Sequence, residues 1–302
     1  KLGVTVLDDL DLNVIRNYID WTPFFTTWQL SGKYPKILEH ELVGEEAKKL
    51  FKDANDMIDD IIKHKKISAK AVIGLFPAVR EQDDIILYKD ETRSESLMKI
   101  HQLRQQSKKP AGQFNRCLSD YVASKEQSVD DYVGAFAVSA GFGADELGKV
   151  FDKDNDTYNS ILLKAVADRL AEASAEYLHE QVRKEYWGYA PDEQLENEDL
   201  IRESYQGIRP APGYPACPEH TEKGLLWELL NVEENINMEL TSSYAMWPGA
   251  AVSGWYFAHP ESKYFAVAKV AQDQVENYAG RKEMTMPQAE RWLSANLDYE
   301  PS

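Results

Sequence analysis

The sequence predicts an α+β fold built around an antiparallel sheet. Apolar stripes at helical spacing are mixed with short apolar runs of strand length, without the steady β-α-β rhythm that builds a parallel sheet. No G-x-G-x-x-G follows a predicted strand, so the main signal of a dinucleotide-binding or methyltransferase Rossmann fold is missing. The chain has 302 residues, of which 43% are apolar, and this is enough to bury a substantial core.

Helices are predicted where apolar residues recur every three or four positions. The clearest case is residues 45–64, where Ala47, Ala54 and Ile58 fall on one face. The same periodicity predicts helices over residues 10–19, 158–186, 222–230, 272–281 and 287–297, and a short helix within residues 192–204. Residues 20–25 instead predict a structured aromatic loop, because Pro23 disfavours the helical conformation at Thr22.

Strands are predicted by short apolar runs that end at turn residues. Residues 71–76 form such a run, and we expect Pro77 to end it. Further strands are predicted at residues 85–88, 132–138, 252–257 and 264–270, with residues 259–262 as the turn between the last two. Residues 94–105 fit a strand or a helix equally well.

The composition excludes several classes of protein. The formal charge is −17, whereas a protein that binds duplex nucleic acid needs a basic surface, so no nucleic-acid partner is expected. No apolar run approaches the roughly 20 residues that span a bilayer, and two cysteines, Cys117 and Cys217, make no disulfide framework. We therefore expect a cytoplasmic protein with reduced thiols and no membrane partner. The chain begins at Lys1, which indicates a piece cut from something longer.

The most unusual segment is residues 209–220, which read RPAPGYPACPEH. Its prolines fix φ and remove backbone donors, so the segment is stiff and extended. Arg209 offers a planar fork for a carboxylate, Tyr214 offers a stacking face, and Gly213 lets a flat ligand approach the backbone. These features suit an amino-acid nucleoside. They equally describe a rigid surface loop that is held by packing.

Other constellations are weaker. Asp168 and Glu172 share one helix face, where they could hold ribose hydroxyls or an ammonium group, or form a solvated acidic face. Residues 247–257 interleave aromatic and small side chains, which fits a platform for a flat ligand or a buried strand. Cys217 and His220 form a single C-x-x-H pair, which is too little for a zinc site. No phosphate-binding loop or nucleophile elbow is present, so no catalytic and no metal residue is predicted.

Several strings together resemble one protein family. They are YIDWTPFF at 18–25, DRLAEA at 168–173, RK with YWGY at 183–189, YQGIRPAPGYPACPEH at 205–220, MWPG at 246–249 and SGWY at 253–256. The chain resembles the activation domain of cobalamin-dependent methionine synthase from about residue 10 to residue 299. That resemblance implies a single domain with a twisted antiparallel sheet flanked by helices. Residues 1–9 would be the linker from a preceding cobalamin-binding domain, and residues 10–302 the S-adenosylmethionine-binding domain.

The resemblance also implies a function. The parent methyltransferase transfers a methyl group to homocysteine through cobalamin and makes methionine. Its activation domain binds S-adenosylmethionine and presents the methyl group to cobalamin when inactive cob(II)alamin is reductively methylated. The implied partners are the cobalamin-binding domain of the same polypeptide and flavodoxin or a similar flavoprotein that donates the electron. Zinc is expected only in a part of the parent enzyme outside this chain, and the domain alone is not expected to turn over.

The ligand-binding residues follow from the same motifs. They are Asp20, Glu172, Arg209, Ala211, Gly213, Tyr214, Tyr264 and Phe265. Arg209 would bind the methionyl carboxylate and Asp20 would face the ammonium. Tyr264 and Phe265 would close the adenine side, although many relatives carry a second Tyr at the position of Phe265. Three further residues would lie near the site without an assigned contact: Asp168, Glu203 and His220.

Physical chemistry agrees with a site that has no catalytic group. A sulfonium methyl is electrophilic and reduced cobalamin is a strong nucleophile, so the protein needs only to orient the two. Two other readings stay open at this point. The chain could be a free-standing S-adenosylmethionine sensor, or an interaction domain that has lost its ligand.

Overall fold

The computed structural model describes residues 1–301 and has the predicted α+β fold. Its strands are β1 Gly3–Leu7, β2 Ser68–Glu81, β3 Asp84–Tyr88, β4 Ser96–His101, β5 Asp131–Phe142, β6 Glu239–Leu240, β7 Met246–Trp247 and β8 Ala251–Tyr256. Six of them form one sheet in the order β4-β3-β2-β5-β8, with β1 paired to β2, and every pairing is antiparallel. The remaining two strands, β6 and β7, pair separately.

Helices flank this sheet. They are α1 Leu12–Ile15, α2 Thr22–Thr27, α3 Gly44–His64, α4 Ala144–Lys153, α5 Thr157–Gln181, α6 Asn197–Ile201, α7 Glu222–Leu230, α8 Val232–Ile236, α9 Gln272–Arg281 and α10 Met286–Trp292. A π-helical turn, Val182–Tyr186, extends α5. The predicted long helices are confirmed, whereas α4 and α8 have no predicted counterpart. Within residues 1–301 no helix combines the length and the apolar character needed to cross a membrane.

The alternation of β5 divides the interior into two cores. Phe136 and Val138 belong to the core covered by α3 and α5, whereas Ala135 and Ala137 belong to the core beneath α7 and α8. Because both faces of this strand are buried, its sequence reads as a continuous apolar run rather than an alternating one. A third, smaller core forms around α9 and α10, centred on Tyr278.

Strand β2 runs past Pro77, so the prediction that this proline ends the strand is wrong. β2 pairs with β1 over Ala71–Leu75 and with β3 over Ala78–Glu81. Pro77 lies in the gap between these two neighbours and pairs with Tyr132 of β5 on the other side. A residue without a backbone donor is tolerated in such a gap because no ladder bond is lost there.

Two other local predictions are also wrong. Residues 20–25 were expected to form a loop, yet α2 begins at Thr22 with Pro23 in its first turn. Proline suits that position because the first amides of a helix have no intrahelical acceptor. Residues 264–270 do not form a strand; Val267 donates one backbone hydrogen bond to Pro215, and Val270 bridges to Leu297.

The first residues of the chain belong to the sheet. Val4 of β1 pairs with Gly74, and Val6 pairs with Val72. Residues 3–7 are therefore a strand of this sheet, and that residues 1–9 are a linker stays a prediction. That a cobalamin-binding domain precedes them stays a prediction.

A proline-rich segment docks along the edge of β8. Residues 208–218, here called the proline ribbon, begin with Ile208, which exchanges two backbone hydrogen bonds with Phe257. Trp255 then donates to the Pro210 carbonyl at 2.9 Å. The ribbon approaches β8 so closely that a Cβ on Gly254 would lie 2.6 Å from the Pro210 oxygen. The sheet edge therefore fixes the position of the ribbon.

We predict that Gly254→Ala lowers the free energy of unfolding by about 1–3 kcal/mol, the usual cost of overpacking a tight contact. The added methyl group has to displace the Pro210 carbonyl or strain β8. Chemical denaturation measures the change. Gly280→Ala in α9 is the matched control, since its Cβ meets nothing within 4 Å and an alanine in a helix adds up to about 1 kcal/mol. Equal stability of the two variants would contradict the close approach.

Candidate functional site

A cavity of about 480 Å³ opens between the proline ribbon, α5, α7 and β8. Its volume falls within the roughly 300–1,000 Å³ that is usual for small-ligand pockets. The lining residues are Glu172, Arg209, Pro210, Ala211, Pro212, Tyr214, Pro215, Ala216, His220, Lys223, Met246, Ala251, Val252, Ser253, Tyr264 and Phe265. Most of this wall is apolar, and its charged side chains are Glu172, Arg209 and Lys223.

The wall contains six of the eight residues predicted to bind ligand. They are Glu172, Arg209, Ala211, Tyr214, Tyr264 and Phe265. Asp20 is not among the lining residues; its carboxylate accepts a hydrogen bond from the Thr22 amide at the start of α2. Asp168 and Glu203 also lie outside the lining, whereas His220 is part of it. The contact of Asp20 with a ligand stays a prediction.

Gly213 shapes the proline ribbon and does not line the cavity. Its φ of +92° lies in the left-handed region, and its amide donates to the Cys217 carbonyl at 2.7 Å. A Cβ at this position would come within 2.4 Å of the His220 ring. Glycine is therefore required by the turn and by the His220 contact, which explains this residue without any approach of a ligand.

Arg209 is held by side chains that sequence reasoning missed. Its Nη2 lies 2.8 Å from Glu176 Oε2, and its Nη1 donates to the Tyr205 hydroxyl at 2.9 Å. Nη1 also lies 3.3 Å from His179 Nδ1. The backbone amide of Arg209 donates to the Tyr264 hydroxyl at 3.0 Å. The guanidinium therefore reaches the cavity wall in a fixed orientation.

The charge of Arg209 is preserved despite its burial. Burial opposes the charged form, but the Glu176 carboxylate together with the Tyr205 and Tyr264 side chains outweighs it and raises the pKa of Arg209 above its usual value. Glu176 and His179 lie one and two helical turns after Glu172. This spacing was the available signal, but a sequence alone does not show that Arg209 packs against that face.

His179 is a neutral acceptor in this cluster. It is completely buried, and burial, together with the charges of Arg209 and Arg183, holds its pKa well below the usual value. Its ring stacks on Tyr256 with centroids 5.2 Å apart and an interplanar angle of 17°. An uncharged imidazole can accept a hydrogen bond at Nδ1 from the guanidinium, whereas an imidazolium cannot.

A second polar pair lies on α7 and the segment before it. Lys223 Nζ donates to the Tyr244 carbonyl at 2.8 Å and lies 3.2 Å from His220 Nδ1. Burial lowers the pKa of both side chains. The favoured arrangement has His220 neutral and accepting from the lysine. The His220 ring also lies against Gly213, so this pair packs against the proline ribbon.

Within residues 1–301 no three His, Cys, Asp or Glu side chains come together as a set of metal ligands. Cys217, which the sequence paired with His220, is buried, and burial raises the pKa of its thiol well above the usual value. A protonated thiol is a poor metal ligand.

The fold and the cavity define an α+β domain with a ligand-sized cavity, one wall of which is a proline ribbon rather than the glycine-rich loop of Rossmann proteins. Residues 11–283 match the family described as the vitamin B12 dependent methionine synthase activation domain, and the chain belongs to this family. Its structure is similar to the crystal structure of the MetH reactivation domain bound to AdoHcy. The TM-score is 0.97 at 60% sequence identity, over 99% of this chain and 92% of that one. The resemblance drawn from the sequence motifs is confirmed.

We predict that His179→Gln makes stability less sensitive to acid. The folded protein keeps His179 neutral, whereas the unfolded chain takes up a proton below a pKa of about 6.5. Stability is therefore lost as the pH falls below that value, at about 1.4 kcal/mol per pH unit for one proton. Urea unfolding at several pH values between about 6.5 and 5 gives the free energy of unfolding. Its slope against pH should be shallower in the variant by up to one proton.

His40→Gln is the control for this measurement, because His40 is an exposed imidazole on another part of the chain. An identical pH slope for wild type and His179→Gln would contradict the neutral state of His179.

Proposed function

We propose that this domain binds S-adenosylmethionine in the cavity and presents the methyl group to cobalamin held by another domain of the same polypeptide. Reductive methylation would return the inactive cofactor to the active form in the cytoplasm. The observation that carries the proposal is the oriented guanidinium of Arg209 on the wall of a ligand-sized cavity. The family and the AdoHcy bound by a similar structure support it.

The groups on the wall match the parts of the ligand. Arg209 suits the methionyl carboxylate, because a guanidinium carries five N–H donors and its protein partners use only some of them. Glu172 is the lining carboxylate, and we propose that it attracts the ammonium together with Asp20. Tyr214, which is 63% exposed, and Phe265 offer aromatic faces for the adenine.

The mouth of the cavity also suits a flat macrocycle. Tyr214 and Tyr264 both line the cavity and remain exposed, and Trp247, next to the lining residue Met246, is 48% exposed. Exposed aromatic surface of this kind marks a site that another molecule covers. Cobalamin, carried by its own domain, would supply the nucleophilic metal.

The residues of this chain would then act by position alone. Arg209 and Glu172 bind the amino-acid end of the ligand, the aromatic side chains bind the base, and the apolar wall keeps water from the sulfonium. No side chain has to accept a proton, since methyl transfer from a sulfonium releases none. The electron would come from flavodoxin or a similar flavoprotein, and the full-length enzyme would have to bind that protein.

We predict that Arg209→Ala weakens the binding of S-adenosylhomocysteine by about 1.5–3 kcal/mol, the scale of a hydrogen bond to a charged group. Titration calorimetry on the domain measures this. Arg202→Ala is the matched control, because Arg202 is an exposed arginine that pairs with Glu198 on the surface. Wild-type affinity in Arg209→Ala would refute the carboxylate role.

In the full-length enzyme, the same pair of variants tests the proposed reaction. S-adenosylmethionine-dependent recovery of activity after oxidative inactivation should be slowed in Arg209→Ala and unaffected in Arg202→Ala. Equal recovery of both variants would argue against this cavity as the source of the methyl group.

A further inference from the structure

We propose that Glu176 is a positioning residue that holds the Arg209 guanidinium in the orientation that receives the ligand carboxylate. The proposal rests on the function proposed above and deepens it. It assigns a role to a buried acidic residue that does not itself line the cavity.

The face of α5 that packs toward the proline ribbon carries a polar seam. Glu172, Glu176, His179 and Arg183 follow each other at spacings of four, three and four residues, so they form one stripe along the helix. Glu172 reaches the cavity, while the next three are buried. Arg209 therefore meets the seam at Glu176, one turn below the residue that lines the cavity.

Among residues 1–301, the Glu176 carboxylate has no ion-pair or hydrogen-bond partner besides Arg209. Its Oε2 contacts Arg209 Nη2 at 2.8 Å, and its Oε1 is buried without a hydrogen-bond partner among residues 1–301. A carboxylate placed for fold stability alone would have both oxygens satisfied, as Glu193 does with Arg183. The interaction with Arg209 is thus the one favourable contact that offsets the burial of the Glu176 charge.

The pair leaves part of the guanidinium available. Glu176 Oε2 lies 2.8 Å from Nη2, while Tyr205 and His179 lie against Nη1. The Nε–H has no acceptor among residues 1–301, and Arg209 lines the cavity. The guanidinium plane is therefore fixed from the side of α5, with donors remaining for a second carboxylate.

Removing the Glu176 charge should reorient Arg209. The guanidinium then keeps Tyr205 and His179 at Nη1 but loses the carboxylate that fixes Nη2. With a neutral residue at position 176, its plane is free to turn away from the ligand. The loss should therefore fall only on ligands that carry a carboxylate.

Two ligands separate positioning from general destabilisation. S-adenosylhomocysteine carries the amino-acid carboxylate, whereas 5′-methylthioadenosine has the same nucleoside thioether without it. We expect Glu176→Gln to weaken the first ligand about tenfold in calorimetry, the scale of one charge-assisted hydrogen bond, and to leave the second unchanged. Glu198→Gln, at an exposed glutamate on α6, is the matched control and should change neither affinity.

Each other result overturns the proposal. An equal loss for both ligands would mean that Glu176 only stabilises the fold, and a gain for S-adenosylhomocysteine would mean that it competes with the ligand. If the wild-type domain binds neither ligand, the function proposed above fails, and this inference fails with it. Should Glu176→Gln not fold, Tyr205→Phe removes one of the two Nη1 partners of the same guanidinium, leaves His179 in place, and should give the same carboxylate-selective loss.

Discussion

The binding site depends on the docking of a donor-poor segment onto a sheet edge. The proline ribbon cannot extend the sheet as a regular strand, because its prolines supply no amide hydrogens. After Ile208, which exchanges two hydrogen bonds with Phe257, its prolines attach by accepting: Pro210 accepts from Trp255, and Pro215 accepts from Val267. The absence of a Cβ on Gly254 allows the Pro210 contact. A stiff wall is thereby held a short distance from α5, and the cavity is the space between them.

This constraint also shows which features a sequence can predict. Helices such as α3 and α5 follow from apolar periodicity, because one face of each meets a core wherever the helix is placed. The wrong predictions concern segments whose conformation depends on the segment that packs beside them. Pro77 is tolerated because two strands leave a gap beside it, and residues 264–270 stay irregular because the ribbon they meet has few amide hydrogens to donate.

The candidate site divides along the same line. Residue types within one unusual motif, Arg209, Ala211 and Tyr214, were predicted from the sequence and line the cavity. Glu176 and His179 were missed, since their role comes from a contact between α5 and a distant segment. Gly213 has a backbone reason that appears only with its φ and the position of the His220 ring. Sequence motifs identified residues that line the cavity, while the three-dimensional structure identified the residues that support them.

The two ends of the cavity carry different side chains. At the α5 end lie Arg209 and Glu172; near the turn of the ribbon lie Tyr214 and the neutral His220, with Lys223 beside it. A ligand with a zwitterionic end and an aromatic base can satisfy both ends in one orientation, because of the two ends the α5 end is the one that offers a guanidinium and a carboxylate together. On the proposed function, that orientation fixes the sulfonium between them. Methyl transfer would then need no catalytic group in this chain, since the position of the methyl group is determined by the two ends of the ligand.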